Sequence, residues 1–179
     1  MKTLIVTDVQ WDFYSPEGSL YVKGGELLPE KVAEEARLAD RVIFTLDWHP
    51  ADHCSFKSKG GIWPPHCVQY TVGAGLAPEF IPILERGGDE VYLYYKGADR
   101  NREQYGAFEK PDPVVTAWLD SSDEIEICGI AGDYCVLETT KNIIANPEWR
   151  KKFSMRRDLT VSIDGGATLE EFITKNGLE

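Results

Sequence analysis

The chain has 179 residues, 42% of them hydrophobic, with 19 basic against 30 acidic side chains and a formal net charge of −11. That length and composition suit one domain over 1–179 whose core needs no staple, and the acidic balance argues against a phosphate-tracking surface and so against nucleic acid as a partner. The four cysteines (54, 67, 128, 135) lack the density of a secreted disulfide framework; with no leader-like start and no apolar run of membrane-spanning length, the expectation is a reduced, soluble, cytoplasmic protein with no membrane partner.

The first apolar run, "TLIVTD" (3–8), reads as a strand buried on both faces that ends at Asp8. In the following "DVQWDF" (8–13), Asp12 reads as a cap and, second to that, as an alternative acid, and Phe13 reads as an aromatic able to wall a flat pocket. A helix is expected in "LLPEKVAEEARLAD" (27–40) and a second strand in "RVIFTLD" (41–47). Residues 47–77, full of Pro, Gly, His and Trp, break the pattern, and long irregular segments inside a compact domain are usually functional. A helix in "APEFIPILERG" (77–87) and a strand in "EVYLYYK" (90–96) lead to Lys96 and to a second irregular stretch, 97–110. Helices in "DPVVTAWLDSS" (112–122), "CVLETTKNIIAN" (135–146) and "ATLEEFITKNG" (167–177) then alternate with strands in "EIEICGI" (124–130) and "LTVSID" (159–164). The alternation predicts a doubly wound α/β fold with a mostly parallel sheet. In such sheets the ligand crevice lies beyond the carboxyl ends of the strands, so both loops and the turns after Asp8 and Ile130 should converge there.

All three histidines, His49, His53 and His66, fall in or just after "LDWHPADHCSF" (46–56), beside Asp47. One carboxylate and three imidazoles suit a single divalent ion such as zinc, iron or manganese, and the prolines of "WPP" would stiffen the backbone before His66. Two other readings stay open. Asp47 ends a strand and the histidines are ordinary loop polars, or Cys54 and Cys67 join the histidines in a structural zinc site, against which stand the missing C-x-x-C knuckle and a core large enough to fold unaided.

Cys135 follows a Gly-containing turn in "EICGIAGDYCVLETT", with Asp133 as the expected N-cap. Backbone N–H groups at a helix start would lower its thiol pKa and hold an oxyanion; the competing reading is a small apolar residue at a helix–sheet junction. Cys128, inside a strand, reads as core. A thiol nucleophile needs a proton acceptor, and Asp8 and Lys96 at neighbouring strand ends have the right types, although each alone is also compatible with a cap or a solvated end. Trp63 joins Phe13 in walling a flat pocket that Tyr105 and Phe108 of the second loop would close, with Tyr134 as a further substrate contact.

Taken in order, "DVQWDF", "LDWHPADHCSF", "WPPHCVQYTVGA" (63–74), "YKGAD" (95–99) and "GIAGDYCV" (129–136) resemble the nicotinamidase/pyrazinamidase branch of the isochorismatase-like cysteine hydrolases, nearly end to end. The resemblance implies a Rossmann-like three-layer α/β/α sandwich and an Asp8–Lys96–Cys135 triad. It also implies one metal on Asp47, His49, His53 and His66, an oxyanion hole from the backbone N–H groups of Ala131 and Cys135, and a cis peptide between Ile130 and Ala131. The implied reaction converts nicotinamide, and pyrazinamide likewise, to the acid and ammonia through a thioester, in NAD salvage. Isochorismatase, carbamoylsarcosine and ureidoacrylate hydrolases, which generally lack the histidine-rich site, are the nearest alternatives; a non-catalytic metal-stabilised binding module is a further one. Departures from the family pattern at Tyr70, Gly106 and Gly132 lie outside the triad and ligand positions. Homo-oligomerisation and metal identity are left open.

Overall fold

Residues 1–178 are described by a computed structural model. In it β1 (Lys2–Thr7), β2 (Arg41–Asp47), β3 (Val91–Lys96), β4 (Glu124–Ile130) and β5 (Phe153–Val161) form one parallel sheet in the order β3-β2-β1-β4-β5. The helices are α1 (Trp11–Tyr14), α2 (Leu28–Leu38), α3 (Ile81–Leu84), α4 (Pro113–Ser121), α5 (Leu137–Ile144), α6 (Pro147–Arg150) and α7 (Ala167–Asn176). Among the described residues no helix is long and apolar enough to cross a membrane.

Successive strand residues point to opposite faces, and each face is covered. Leu4, Val6, Val42, Phe44 and Cys128 pack with Leu28, Val32 and Ala36 of α2 and Ile83 of α3. Ile5, Ile43, Ile125 and Ile127 pack on the other side with Val115 and Leu119 of α4, Ile143 of α5 and Trp149 of α6. This is the expected three-layer α/β/α arrangement, and the double burial explains why the inner strands read as continuous apolar runs.

Three expectations need correction. β5 starts at Phe153, six residues before "LTVSID", and ends at Val161. As an edge strand with a register shift against β4 it carries Arg156, Arg157 and Asp158, charges that hid it in the sequence. The helix expected over 77–87 is a 3₁₀ turn, Pro78–Phe80, running into the four-residue α3, because Pro78 and Pro82 each favour a new helix start. The helix expected over 135–146 begins with a π turn, Gly132–Val136, before α5.

The chain winds outward from β1 to β3 and then returns to β4, so strand order reverses between β1 and β4. A crevice opens at such a reversal. Asp8 follows β1, Asp47 and Lys96 are the last residues of β2 and β3 and sit in register, and the turn to Cys135 follows β4.

Candidate active site

Lys96 is the hub of the crevice. Its side chain is fully buried, with Nζ 2.8 Å from Asp8 Oδ2, in contact with Asp47 Oδ1 and 3.6 Å from Cys135 Sγ. The structure therefore brings the three expected catalytic residues together. Burial alone would strip Lys96 of its proton, but the carboxylates of Asp47 and Asp8 outweigh it and hold the pKa well above the usual lysine value. Burial likewise opposes the charge on Asp47, yet the adjacent ammonium keeps that carboxyl well below the ordinary range. Asp8 differs: burial raises its pKa further than Lys96 can lower it, although Thr45 donates its hydroxyl to Oδ1 at 2.6 Å.

The Cys135 thiol departs from expectation. Burial pushes its pKa well above the ordinary thiol value, past what Lys96 can offset, and Asp8 adds to the rise. The preceding turn is π-helical with Ala131 at its N-cap, and Asp133 caps nothing there. Its carboxylate accepts the N–H groups of Ile163 at 2.9 Å and Asp164 at 3.0 Å, tying the Cys135 turn to the loop after β5. Burial thus favours the protonated thiol, which sits beside Asp8, a group able to accept its proton. The Ile130–Ala131 peptide is cis.

Asp47 faces two imidazoles on its other side, with Oδ2 3.4 Å from His49 Nε2 and 3.9 Å from His66 Nε2. His49 donates Nδ1–H to the Gly97 carbonyl at 2.9 Å, and His66 donates Nδ1–H to that of Pro64 at 2.8 Å. Those carbonyls fix the tautomer, leaving both Nε2 lone pairs aimed at a carboxylate oxygen. Three potential donor atoms lie within 4.8 Å of one another, and their mutual repulsion is relieved by a proton, as the raised His49 pKa beside Asp47 reflects, or by a metal cation. The chemistry fits a divalent ion.

Of the four expected ligands, His53 lies outside that donor group in this structure. Its Nε2 hydrogen-bonds to the Arg102 carbonyl at 3.0 Å and its Nδ1 meets Ser55 Oγ at 2.7 Å. The structural-zinc reading also falls away. Among the described residues the donor groups close enough for one ion are Asp47–His49–His66 and Asp8–Asp47–Cys135, without Cys54 or Cys67. Asp12 is structural, accepting the backbone N–H groups of Cys67 and Ser19.

Beside these groups lies a cleft lined by all four expected aromatics, Phe13, Trp63, Tyr105 and Tyr134, together with Cys135 and His66. Trp63 donates Nε1–H to Tyr105 Oη at 3.0 Å, and the Trp63 and Tyr105 rings lie 5.2 and 5.3 Å from Tyr134. Such a slot suits a flat aromatic ligand.

Several contributors escape sequence reasoning. Gln10, wholly buried, accepts the Asp47 N–H at 2.8 Å and donates to the Asp47 carbonyl at 2.9 Å, bracing that ligand's backbone. Gly97 has φ +69°, and a Cβ there would sit 2.7 Å from His49 Nδ1. Glu103 brings a half-buried carboxyl onto the cleft, its pKa raised by burial. A buried Gln and a close-approach Gly look ordinary in a linear sequence. Two of the family departures find local causes, since Cβ atoms at 106 and 132 would crowd Asn142 and Ser162; Tyr70 sits at φ +64°, a conformation that favours Gly, and nothing in the structure explains a tyrosine there.

No family model matches the chain. A Mycobacterium tuberculosis nicotinamidase/pyrazinamidase is 38% identical, the match covering 82% of this chain and 80% of that protein. A pyrazinamidase of Pyrococcus horikoshii, solved in complex with zinc, superposes with a TM-score of 0.82 at 29% identity, covering 99% of this chain and 97% of the other. PnC1 from L. infantum, solved in complex with nicotinate, also gives 0.82, at 31% identity, with 99% and 90% covered.

Proposed function

The chain belongs to the nicotinamidase/pyrazinamidase family of isochorismatase-like amide hydrolases, and from that premise we propose that it converts nicotinamide, and pyrazinamide likewise, to the carboxylic acid and ammonia through a Cys135 thioester. The observation that carries this reading is Lys96, whose one ammonium touches the proton acceptor Asp8, the ligand carboxylate Asp47 and the thiol of Cys135. Asp47, His49 and His66 would hold a zinc, iron or manganese ion, which supplies a Lewis-acid anchor for the pyridine nitrogen. Phe13, Trp63, Tyr105 and Tyr134 would hold the ring flat with its carboxamide over Sγ.

Because burial favours the protonated thiol, proton transfer to Asp8 accompanies attack. Sulfur forms its bond to the carboxamide carbon, and the C=O electron pair moves to oxygen, where the backbone N–H groups of Ala131 and Cys135 receive the oxyanion. Asp8 then returns the proton to nitrogen as the C–N bond breaks, releasing ammonia and leaving the thioester. Water gives a proton to Asp8 and adds to the thioester carbon. The C–S bond breaks, the acid departs, and the Asp8 proton returns to sulfur. Lys96 keeps Asp8 able to accept that proton inside a buried site. A place in NAD salvage follows from the substrate.

The test is initial-rate ammonia release over a panel of nicotinamide, pyrazinamide, benzamide and ureido-type amides. Turnover of the two ring-nitrogen amides well ahead of benzamide is expected. A ureido amide turned over faster than either would move the protein to another branch of the superfamily.

A further inference from the structure

Resting on the metal site and amidase reading above, we infer that His53 is a positioning residue for the cleft wall and not a ligand of the ion. Its ring is fully buried and stacks on His49, with centroids 4.2 Å apart and planes 29° apart. Both nitrogens are committed. Nε2–H donates to the Arg102 carbonyl at 3.0 Å, while Nδ1 accepts the Ser55 hydroxyl at 2.7 Å and the Ser55 N–H at 3.3 Å. A neutral imidazole has one lone pair, and the nitrogen facing a carbonyl must carry the proton. The lone pair left is the one Ser55 occupies, so none remains for an ion. His49 and His66 have the opposite arrangement, with Nδ1 protonated and Nε2 free.

The ring instead joins two segments of chain. One is the loop after β2, which carries His49. The other is the stretch after β3, in which the Gly97 carbonyl orients His49 and the Arg100 carbonyl accepts the Cys54 N–H at 2.8 Å. That stretch ends in Glu103 and Tyr105 on the cleft. Arg102 immediately precedes Glu103, so the hydrogen bond from His53 fixes the backbone where this wall enters the cleft. Losing it would loosen Glu103 and Tyr105 while taking no electron pair from the ion.

X-ray absorption at the metal edge of the zinc-loaded wild-type protein, without substrate, is expected to show two imidazoles; three would overturn the inference. His53→Phe keeps a flat ring on His49 but has no donor. It should retain the wild-type metal-to-chain ratio and imidazole number, hold kcat within about twofold, and raise KM about five- to tenfold, the worth of one neutral hydrogen bond. His53→Gln, which can donate again, should recover part of that KM. Metal loss in His53→Phe matching that of His66→Ala would make His53 a ligand, and an unchanged KM with unchanged metal would remove the positioning role. Calorimetric affinity for nicotinate gives a second reading of the wall, with the same rise in Kd expected. A protein that hydrolysed no amide would sink the amidase reading, while the metal-edge spectrum would still decide the ligand question.

Discussion

Replacing Lys96 by Met keeps the length of the stem and removes the one cation that faces two buried carboxylates, 2.8 Å from Asp8 Oδ2 and in contact with Asp47. Breaking a buried ion pair from one side leaves an uncompensated charge and costs about 3–5 kcal/mol. For a domain of this size each kcal/mol moves Tm by roughly 2–4 °C, so chelated Lys96→Met should melt roughly 6–20 °C below chelated wild type at pH 8. The sign of the pH dependence follows from Asp8, whose pKa burial already raises and which rises further without the ammonium. A carboxyl raised in the folded state contributes stability below its unfolded pKa and loses it as pH climbs through the folded value. The deficit should therefore shrink as pH falls from 8 towards 5, where protonation relieves the buried charge. Calorimetric melts of both chelated proteins across that range check it. A Tm within about 2 °C of wild type at pH 8, or a deficit that widens on acidification, would refute the account of Lys96 as the neutralising hub.

Gly97→Ala should lower the metal-to-chain ratio measured by elemental analysis at limiting metal, because the new Cβ meets the His49 ring, 2.7 Å from Nδ1, on a backbone at φ +69°; wild-type occupancy would show that His49 is not held by this contact. Asp133→Ala frees the N–H groups of Ile163 and Asp164 and should make those two amides exchange at least tenfold faster by hydrogen exchange, each hydrogen bond to a charged acceptor being worth about 1.5–3 kcal/mol; unchanged protection would contradict the tie. Trp63→Phe removes the donor to Tyr105 Oη and should raise KM by about fivefold with little change in kcat, as steady-state kinetics will report.

Much of this was legible in the chain because its signals are local. Strands buried on both faces write near-continuous apolar runs, and their carboxyl ends announced themselves as Asp8, Asp47 and Lys96. What stayed hidden depends on partners distant in sequence. β5 is an edge strand whose Arg156 reaches Glu35 on α2 at 2.5 Å, so its charges are satisfied in three dimensions yet look like loop. Asp133 stands where an N-cap belongs, but its acceptors are drawn to amides thirty residues on. His53 belongs by spacing with the other histidines; the Arg102 carbonyl, 49 residues away, sets its tautomer. The Cys135 helix-start expectation favoured a low thiol pKa, and full burial reversed it.

The most direct test of the central claim is ammonia release from nicotinamide by the purified protein as prepared, after chelation, after metal add-back, and in Cys135→Ala. Activity is expected in the first, with loss on chelation, recovery with zinc, iron or manganese, and none from the alanine variant even when metal-loaded. Turnover by metal-loaded Cys135→Ala at the wild-type rate would contradict it.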